Sequence, residues 1–552
     1  MSKVGRLLLR HLMRLHPMKI KEIPVHTSND FIINSKVNVT FHELFKMNDN
    51  QFAKWKKDLQ KIVYQSWVEY GEPPLVAGTN ETIIRQFETL TNKSNSVSVF
   101  KDDLTLEANC IVPGVVASGI NYFFPNRAKS QDLNANEEGE SLWKLFVEEP
   151  DSENSKKVLN RLERQLKYDG TFDFAPKLMI GDFGDLGCTT AYDWLLKWNE
   201  KPIDGYDFFI DASQSTPSQK SLVLTMPPDK LKQLMDDGLI SENKLRWHSF
   251  SKLNLKEPIV IRLYRTDRKI FPTCFDILRK SVAMGGNFPA SVAKFLYEKY
   301  TTPNTKSIIY DSSSGYGGRM VGALSLCKDR QIHYVGTDPN PDHYLDEYGI
   351  TRYEYLRSFL QSSTRNRYKT TIDIFQLGSE VIHQDPQFQK YRGEVDFMFT
   401  SPPYFSAEGY SDDPNQSFIK FPEYDLWRDG FLKPTLKTSV EWLKSGAHLA
   451  WNISDVAYKP RQSKTMYGQE GATENPELNA RSVQRYIPLE YDSIEILKSL
   501  GMEYVTTWKM VLAGGIQRNK FRQWTRKPTT RNFVQIKGTP RKVEMIYVWR
   551  KP

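Results

Sequence analysis

Cysteine is scarce in this chain: Cys110, Cys188, Cys274 and Cys327 lie far apart, and no C-x-x-C or H-x-x-x-H spacing accompanies them. That argues against a disulfide framework or a zinc site and for a reducing compartment, so no metal is expected. Long apolar runs are also missing. None approaches the roughly 18 residues that would span a bilayer, and no secretory signal pattern opens the chain, so a soluble, cytoplasmic protein with no membrane partner is expected. The Walker loop G-x-x-x-x-G-K-[ST] is absent, as is any nuclease or helicase signature, so no cleavage is assigned. Residues 1–21 lack acidic side chains altogether. They read as a short basic amphipathic helix or surface arm.

What is present supports sizeable cores. The 552 residues, 39% hydrophobic and 12% aromatic, suit two or three domains. The net charge of +9 comes from Lys and Arg interleaved with Trp, Phe and Tyr, a balance that favours a polyanionic partner. Residues 1–250 form a mixed α/β region whose role, target recognition or an accessory one, the residues leave open. Within it "FAKWKKDLQKIVYQSWVEY" has helical spacing, "GYDFFIDAS" and "SLVLTM" read as strands, and polar 134–157 reads as a surface loop and internal boundary.

From about 255 the texture becomes strand and helix in alternation. "EPIVIRLYR", "KSIIYDSSSG", "IHYVGTDPNP", "TTIDIFQLGSE" and "EVDFMFTSPPYF" read as strands, and "PASVAKFLYEKY", "GGRMVGALSLCKD" and "RYEYLRSFLQSST" as helices. The pattern predicts an α/β fold with a doubly wound, mostly parallel sheet, whose ligands bind beyond the carboxyl ends of the strands. Three unusual segments fall at such ends. In "DSSSGYGGRMVGAL", Asp311 leads Gly315, Gly317 and Gly318 into a helix. Glycines admit close approach of a ligand, and Asp311 suits an ammonium group better than a phosphate. The dinucleotide pattern G-x-G-x-x-G fails at Met320. Asp338 in "YVGTDPN" suits ribose hydroxyls. Ser401, Pro402, Pro403 and Tyr404 end the fourth strand, where two prolines hold the backbone stiff and deny it donors.

These four residues match (Asp/Asn/Ser)-Pro-Pro-(Tyr/Phe/Trp), and the chain thereby resembles the S-adenosylmethionine-dependent amino-methyltransferases that modify exocyclic base amines in DNA. Asp311, Gly315 and Gly317 match that family's D-x-x-x-G-x-G loop, Asp338 its ribose acid, and Phe288 and Pro289 in "GGNFPASVAKFLYEKY" its segment packing on the methionine moiety. The resemblance covers roughly 258–455 plus a final strand pair and implies a Rossmann-like class I methyltransferase core. Where the family often has an acid facing the adenine of the cofactor, "LGSE" offers Ser379. By the same resemblance, Ser401 Oγ and the Pro402 carbonyl accept both amine hydrogens, Tyr404 stacks on the base and Phe405 helps shape the pocket. Ser in the first motif position leans towards cytosine N4 over adenine N6. A duplex substrate requires base flipping.

The expected layout is therefore an N-terminal region over 1–250, a cofactor-binding core over 255–455, and target-recognition insertions with the closing strand pair over 456–552. From Arg518 to Lys551 eleven Lys or Arg face the single acid Glu544. Arg518, Lys520, Arg522, Trp524, Arg526, Lys527 and Arg531 are the candidate nucleic-acid contacts. The leading expectation is a site-specific DNA methyltransferase of prokaryotic or phage origin, in a restriction-modification pair or alone, with a separate restriction enzyme as a conceivable partner. The competing readings are methylation of an RNA base or protein amide, and a non-catalytic nucleic-acid-binding subunit.

Overall fold

The computed structural model describes most of residues 35–163, a strand pair at 221–226 and 259–264, and 269–552 apart from 459–484, 513–532 and several short gaps. The main sheet is built from β1 (Val97–Phe100), β2 (Cys110–Pro113), β3 (Lys306–Asp311), β4 (Gln331–Thr337), β5 (Thr371–Phe375), β6 (Val395–Thr400), β7 (Leu443–Ile453), β8 (Glu503–Val511), β9 (Phe533–Ile536) and β10 (Thr539–Arg550). The order is β1-β2-β8-β10-β7-β6-β3-β4-β5, with β9 paired to β10. Strands β5, β4, β3, β6 and β7 are mutually parallel, and β10 lies antiparallel between β7 and β8.

Burial on both faces explains why the inner strands read as near-continuous apolar runs. Ile309, Tyr310, Phe397, Met398 and Phe399 are all fully buried. The longer helices are α1 (Asp49–Tyr70), α2 (Asn80–Asn92), α3 (Glu153–Glu163), α4 (Ala290–Tyr300), α5 (Gly318–Leu324), α6 (Arg352–Ser362), α7 (Lys433–Trp442) and α8 (Leu489–Ser499). Leu296, Met320 and Leu356 carry α4, α5 and α6 onto one sheet face, while Leu436 and Leu497 carry α7 and α8 onto the other. The result is the doubly wound, Rossmann-like α/β sheet. Its strand order reverses between β3 and β6, the switch point beyond which sheets of this kind leave a crevice for a ligand.

The N-terminal residues enter this architecture directly. Strand β2 pairs in parallel with β8, and the two-residue turn at Lys537 and Gly538, both with positive φ, docks β9 and β10 onto Asp102 and Asp103. A separate core joins Phe52, Trp55 and Leu59 of α1 to Leu145, Phe146, Leu159 and Ile270.

Two segments differ from the sequence expectation. Residues 141–157, part of the stretch read as a surface loop, are largely helical: Leu142, Leu145 and Phe146 are buried at helical spacing despite polar surroundings, and α3 begins inside the stretch and runs past it with Val158, Leu159 and Leu162 buried. Strand Ile259–Tyr264 forms, but it pairs antiparallel with Ser221–Met226 outside the main sheet. "GYDFFIDAS" lies outside the described residues.

Candidate active site

The ends of β3, β4, β5 and β6 open into one cavity of about 710 Å³, within the roughly 300–1,000 Å³ range of small-molecule sites. Phe288, Pro289, Gly315, Asp338 and Ser379 line it, and so do Ser401, Pro402, Pro403 and Tyr404. Of the residues singled out from sequence, these nine are brought together. Asp311, Gly317 and Phe405 are not on its wall, and Arg518, Lys520, Arg522, Trp524, Arg526, Lys527 and Arg531 lie outside the described residues.

Asp311 corrects the reading of it as an ammonium acceptor. It is fully buried, and its carboxylate is already engaged: Oδ2 accepts from Arg319 Nε at 2.8 Å and Tyr334 OH at 2.6 Å, Oδ1 from Thr400 Oγ1 at 2.8 Å and the Ser313 amide at 3.2 Å. Four donors around one buried carboxylate leave no face for a ligand. Arg319 also donates to the Ser313 carbonyl. Burial works against its charge, but the Asp311 carboxylate beside it more than compensates and pushes the guanidinium pKa up.

The glycine loop is shaped by its neighbours. Gly315 sits at φ +53°, in left-handed space that a side-chain-bearing residue adopts only at a cost, and its amide donates to Asp338 Oδ2 at 2.8 Å. A Cβ at Gly318 would lie 2.1 Å from the Phe288 carbonyl oxygen and 2.5 Å from Asn287 Oδ1. The 286–289 segment is thus clamped to the loop, with Asn287 Oδ1 accepting from the Gly318 amide and Asn287 Nδ2 donating to the Tyr316 carbonyl. Gly318→Ala is expected to force the two segments apart, costing about 1–3 kcal/mol as other overpacked sites do. A urea melt checks it, and an unchanged midpoint would contradict the clamp.

Asp338 follows β4 and faces the cavity. Oδ1 accepts from the Asn340 amide at 3.0 Å, and His343 Nδ1 lies 3.4 Å from it. Burial opposes ionisation, but His343 and the amides of Asn340 and Gly315 outweigh it and hold the carboxyl below its ordinary range. Two further cavity-lining groups, Ser312 Oγ and Asn340 Nδ2, are buried without a hydrogen-bond partner among the described residues. Such groups are uncommon unless a ligand or water meets them.

On the far side, Ser379 Oγ shares a 2.9 Å hydrogen bond with Thr435 Oγ1. Its neighbour Glu380, buried on the cavity wall and paired with Lys420 at 2.8 Å, is an acid the sequence reading passed over. The Tyr404 hydroxyl interacts with Ser401 and lies 3.3 Å from Asn452 Oδ1, which orients the ring. Burial, then the charge of Glu544, raises the Tyr404 phenol well above its ordinary pKa. Phe405 is the second correction. Its backbone turns through φ +51°, and its fully buried ring packs on Tyr424 and Trp427 below the wall, where an apolar ring gains more than it would in an open pocket.

Sequence reasoning also missed the contribution of 118–132, which carries no regular periodicity. Ile120 and Asn121 line the cavity, and Asn287 Nδ2 donates to Asn121 Oδ1. Phe124 packs edge-on to Tyr316 and His343. Gln131 and Asp132 pair antiparallel with Gly409 and Glu408 just beyond the diproline. The segment therefore touches both the glycine loop and the continuation of the Ser-Pro-Pro-Tyr turn.

No protein-family model and no curated protein matches the chain. Remote likenesses to solved structures occur. Geranyl diphosphate C-methyltransferase from Streptomyces coelicolor A3(2) aligns with 12% identity over 48% of this chain and 79% of its own, at a TM-score of 0.25. TrmN from Thermus thermophilus aligns with 12% identity over 48% and 49%, at 0.22. A second Thermus thermophilus protein, provisionally assigned as a DNA modification methylase, aligns with 17% identity over 32% and 50%, at 0.18. Likeness this remote carries neither fold nor chemistry across. The strand order and the cavity stand on their own geometry.

Proposed function

We propose that the chain transfers the methyl group of S-adenosylmethionine to an exocyclic amine of a nucleic-acid base, in DNA and at cytosine N4 in preference to adenine N6. One observation carries the reading: the Ser401 to Tyr404 turn and the Gly315 loop with Asp338 share a single cavity at the switch point of a doubly wound sheet. The residues present fit the cofactor. Asp338 would hold the ribose hydroxyls, Phe288 and Pro289 the methionine side, and Ser379 with Glu380 the adenine side, while Ser312 Oγ and Asn340 Nδ2 offer polar atoms that have no partner among the described residues. When bound, the cofactor supplies an electrophilic sulfonium methyl.

The chain's own part is to make a poor nucleophile competent. An aromatic amine delocalises its lone pair into the ring. Ser401 Oγ and the Pro402 carbonyl would accept its two hydrogens, draw nitrogen towards tetrahedral geometry and free the pair for in-line attack. The diproline keeps that carbonyl aimed, so the contribution is preorganisation. Tyr404 would stack on a flipped or single-stranded base, and the basic segment 518–531 would neutralise phosphates. Ser rather than Asp in the first motif position favours cytosine.

Labelled S-adenosylmethionine with DNA or RNA, digested to nucleosides, tests the reading: label is expected in N4-methyldeoxycytidine. Label in no nucleoside would sink it, and label in an RNA nucleoside would move the substrate. In calorimetry, Asp338→Ala is expected to weaken cofactor binding at least about 10-fold, the loss of a charged hydrogen-bond acceptor. Unchanged affinity would contradict the ribose assignment.

A further inference from the structure

Methylating a neutral amine generates a cation that must lose a proton, and no residue of the Ser-Pro-Pro-Tyr turn is suited to take it. Ser401 is a neutral hydroxyl, Pro402 offers a carbonyl, and the Tyr404 phenol stays protonated at neutral pH. Among the described residues five carboxylates outside the turn line the same cavity: Asp338 accepts from the Gly315 and Asn340 amides, Glu380 pairs with Lys420, Asp455 accepts from the Glu490 amide, and Glu408 and Glu544 remain. Glu408 lies four residues beyond Tyr404, and Glu544 stands on β10 opposite Met510 of β8. Glu408 accepts from the Tyr410 hydroxyl and is thereby committed. Among the described residues no hydrogen bond reaches the Glu544 carboxylate, although its charge acts on the Tyr404 phenol that touches Ser401.

Resting on the methyl-transfer reading, we propose that Glu544 is the general base that accepts the proton released by the target amine. The nitrogen lone pair forms the new N–C bond, and the sulfonium C–S bond breaks with its electron pair remaining on sulfur. One N–H proton passes to the Glu544 carboxylate, which later returns it to solvent. The site suits this task. Burial first, then the Glu408 charge across the cavity, raises the Glu544 pKa to about 7, with Lys542 on the same strand acting in the opposite sense. Among the described residues, Tyr404, Tyr410 and Asp455, two residues past β7, are further ionisable groups on the cavity wall. A base near the working pH combines an available charged form with real proton affinity. Because the base must be ionised, the rate rises with pH through about 7.

The test uses the full chain with labelled S-adenosylmethionine and the substrate identified above. Glu544→Gln is expected to lower kcat about 10²-fold and abolish the rising limb of the pH profile, with cofactor affinity unchanged. Glu408→Gln removes the like charge that holds the pKa up, so its limb is expected at lower pH. Independently of turnover, infrared difference spectra are expected to show a carboxyl titrating near pH 7 in wild type and absent in Glu544→Gln. Wild-type methylation with an unaltered kcat or limb in Glu544→Gln overturns this inference and leaves the methyl-transfer reading standing. If Glu544→Gln loses cofactor affinity, the Glu408→Gln limb decides: an unmoved limb overturns the inference, and an acid-shifted one supports it. No methylation by wild type brings both readings down.

Discussion

Ser401→Ala is expected to reduce kcat for base methylation by about 10²- to 10³-fold, with cofactor affinity unchanged. Removing one preorganised polar group aimed at the charge developing in a transition state costs about 2.7–4 kcal/mol where that group works in a site closed to water. Ser401 is half-buried on the cavity wall, one residue past the buried end of β6, where the Tyr404 hydroxyl and a buried Pro402 fix its surroundings, and a bound base would complete the exclusion of water. Alanine deletes only Oγ and keeps the turn, so the Pro402 carbonyl and Tyr404 stay in position. One amine hydrogen then lacks an acceptor, and the nitrogen lone pair stays delocalised. The loss therefore falls on kcat with little change in KM, a split that single-turnover kinetics with saturating cofactor resolves. An unchanged kcat would remove Ser401 from the mechanism, and a loss confined to KM would make it a binding residue.

Much of this architecture was legible because the physical signals were local. Apolar runs such as Ile308 to Tyr310 and Phe397 to Phe399, each followed by polar or glycine-rich chain, read as buried strands, and their alternation with helices points to a doubly wound sheet. What escaped was non-local. Asp311 was read as facing a ligand because acid before glycines is a local pattern. Its partners Arg319, Tyr334 and Thr400 come from a helix and two other strands, and only the folded chain brings them to one carboxylate. The same holds for Glu408 and Glu544, which line one cavity from segments far apart in the sequence. Residues 118–132 gave no signal because 3₁₀ turns lack the repeat on which periodicity depends. Phe405 was misread for a simpler reason: its neighbour Tyr404 turns towards the cavity, and only the positive φ at 405 sends the second ring the other way.

Asp311→Ala is expected to cost about 3–5 kcal/mol of stability, the usual result when one partner of a buried ion pair is removed. The mechanism is the orphaned charge more than the lost attraction. Arg319 is 5% exposed and could not reach solvent without disrupting α5, while its Nε would lose its acceptor. Tyr334 and Thr400 would lose theirs as well. The damage extends to function, since the carboxylate joins the cofactor loop, through the Ser313 amide and Arg319, to Thr400, the residue before Ser401. Releasing that junction loosens both halves of the site at once, so cofactor affinity and kcat fall together, unlike the kcat-only loss of Ser401→Ala. Replacing both partners, Asp311→Ala with Arg319→Met, removes the stranded charge and is expected to recover part of the stability, because apolar replacement of a whole buried pair is often close to neutral. Urea denaturation of the single and double variants reads the difference. A single-variant loss below about 1 kcal/mol, or a double variant no better than the single, would show that the network is not the structural junction described.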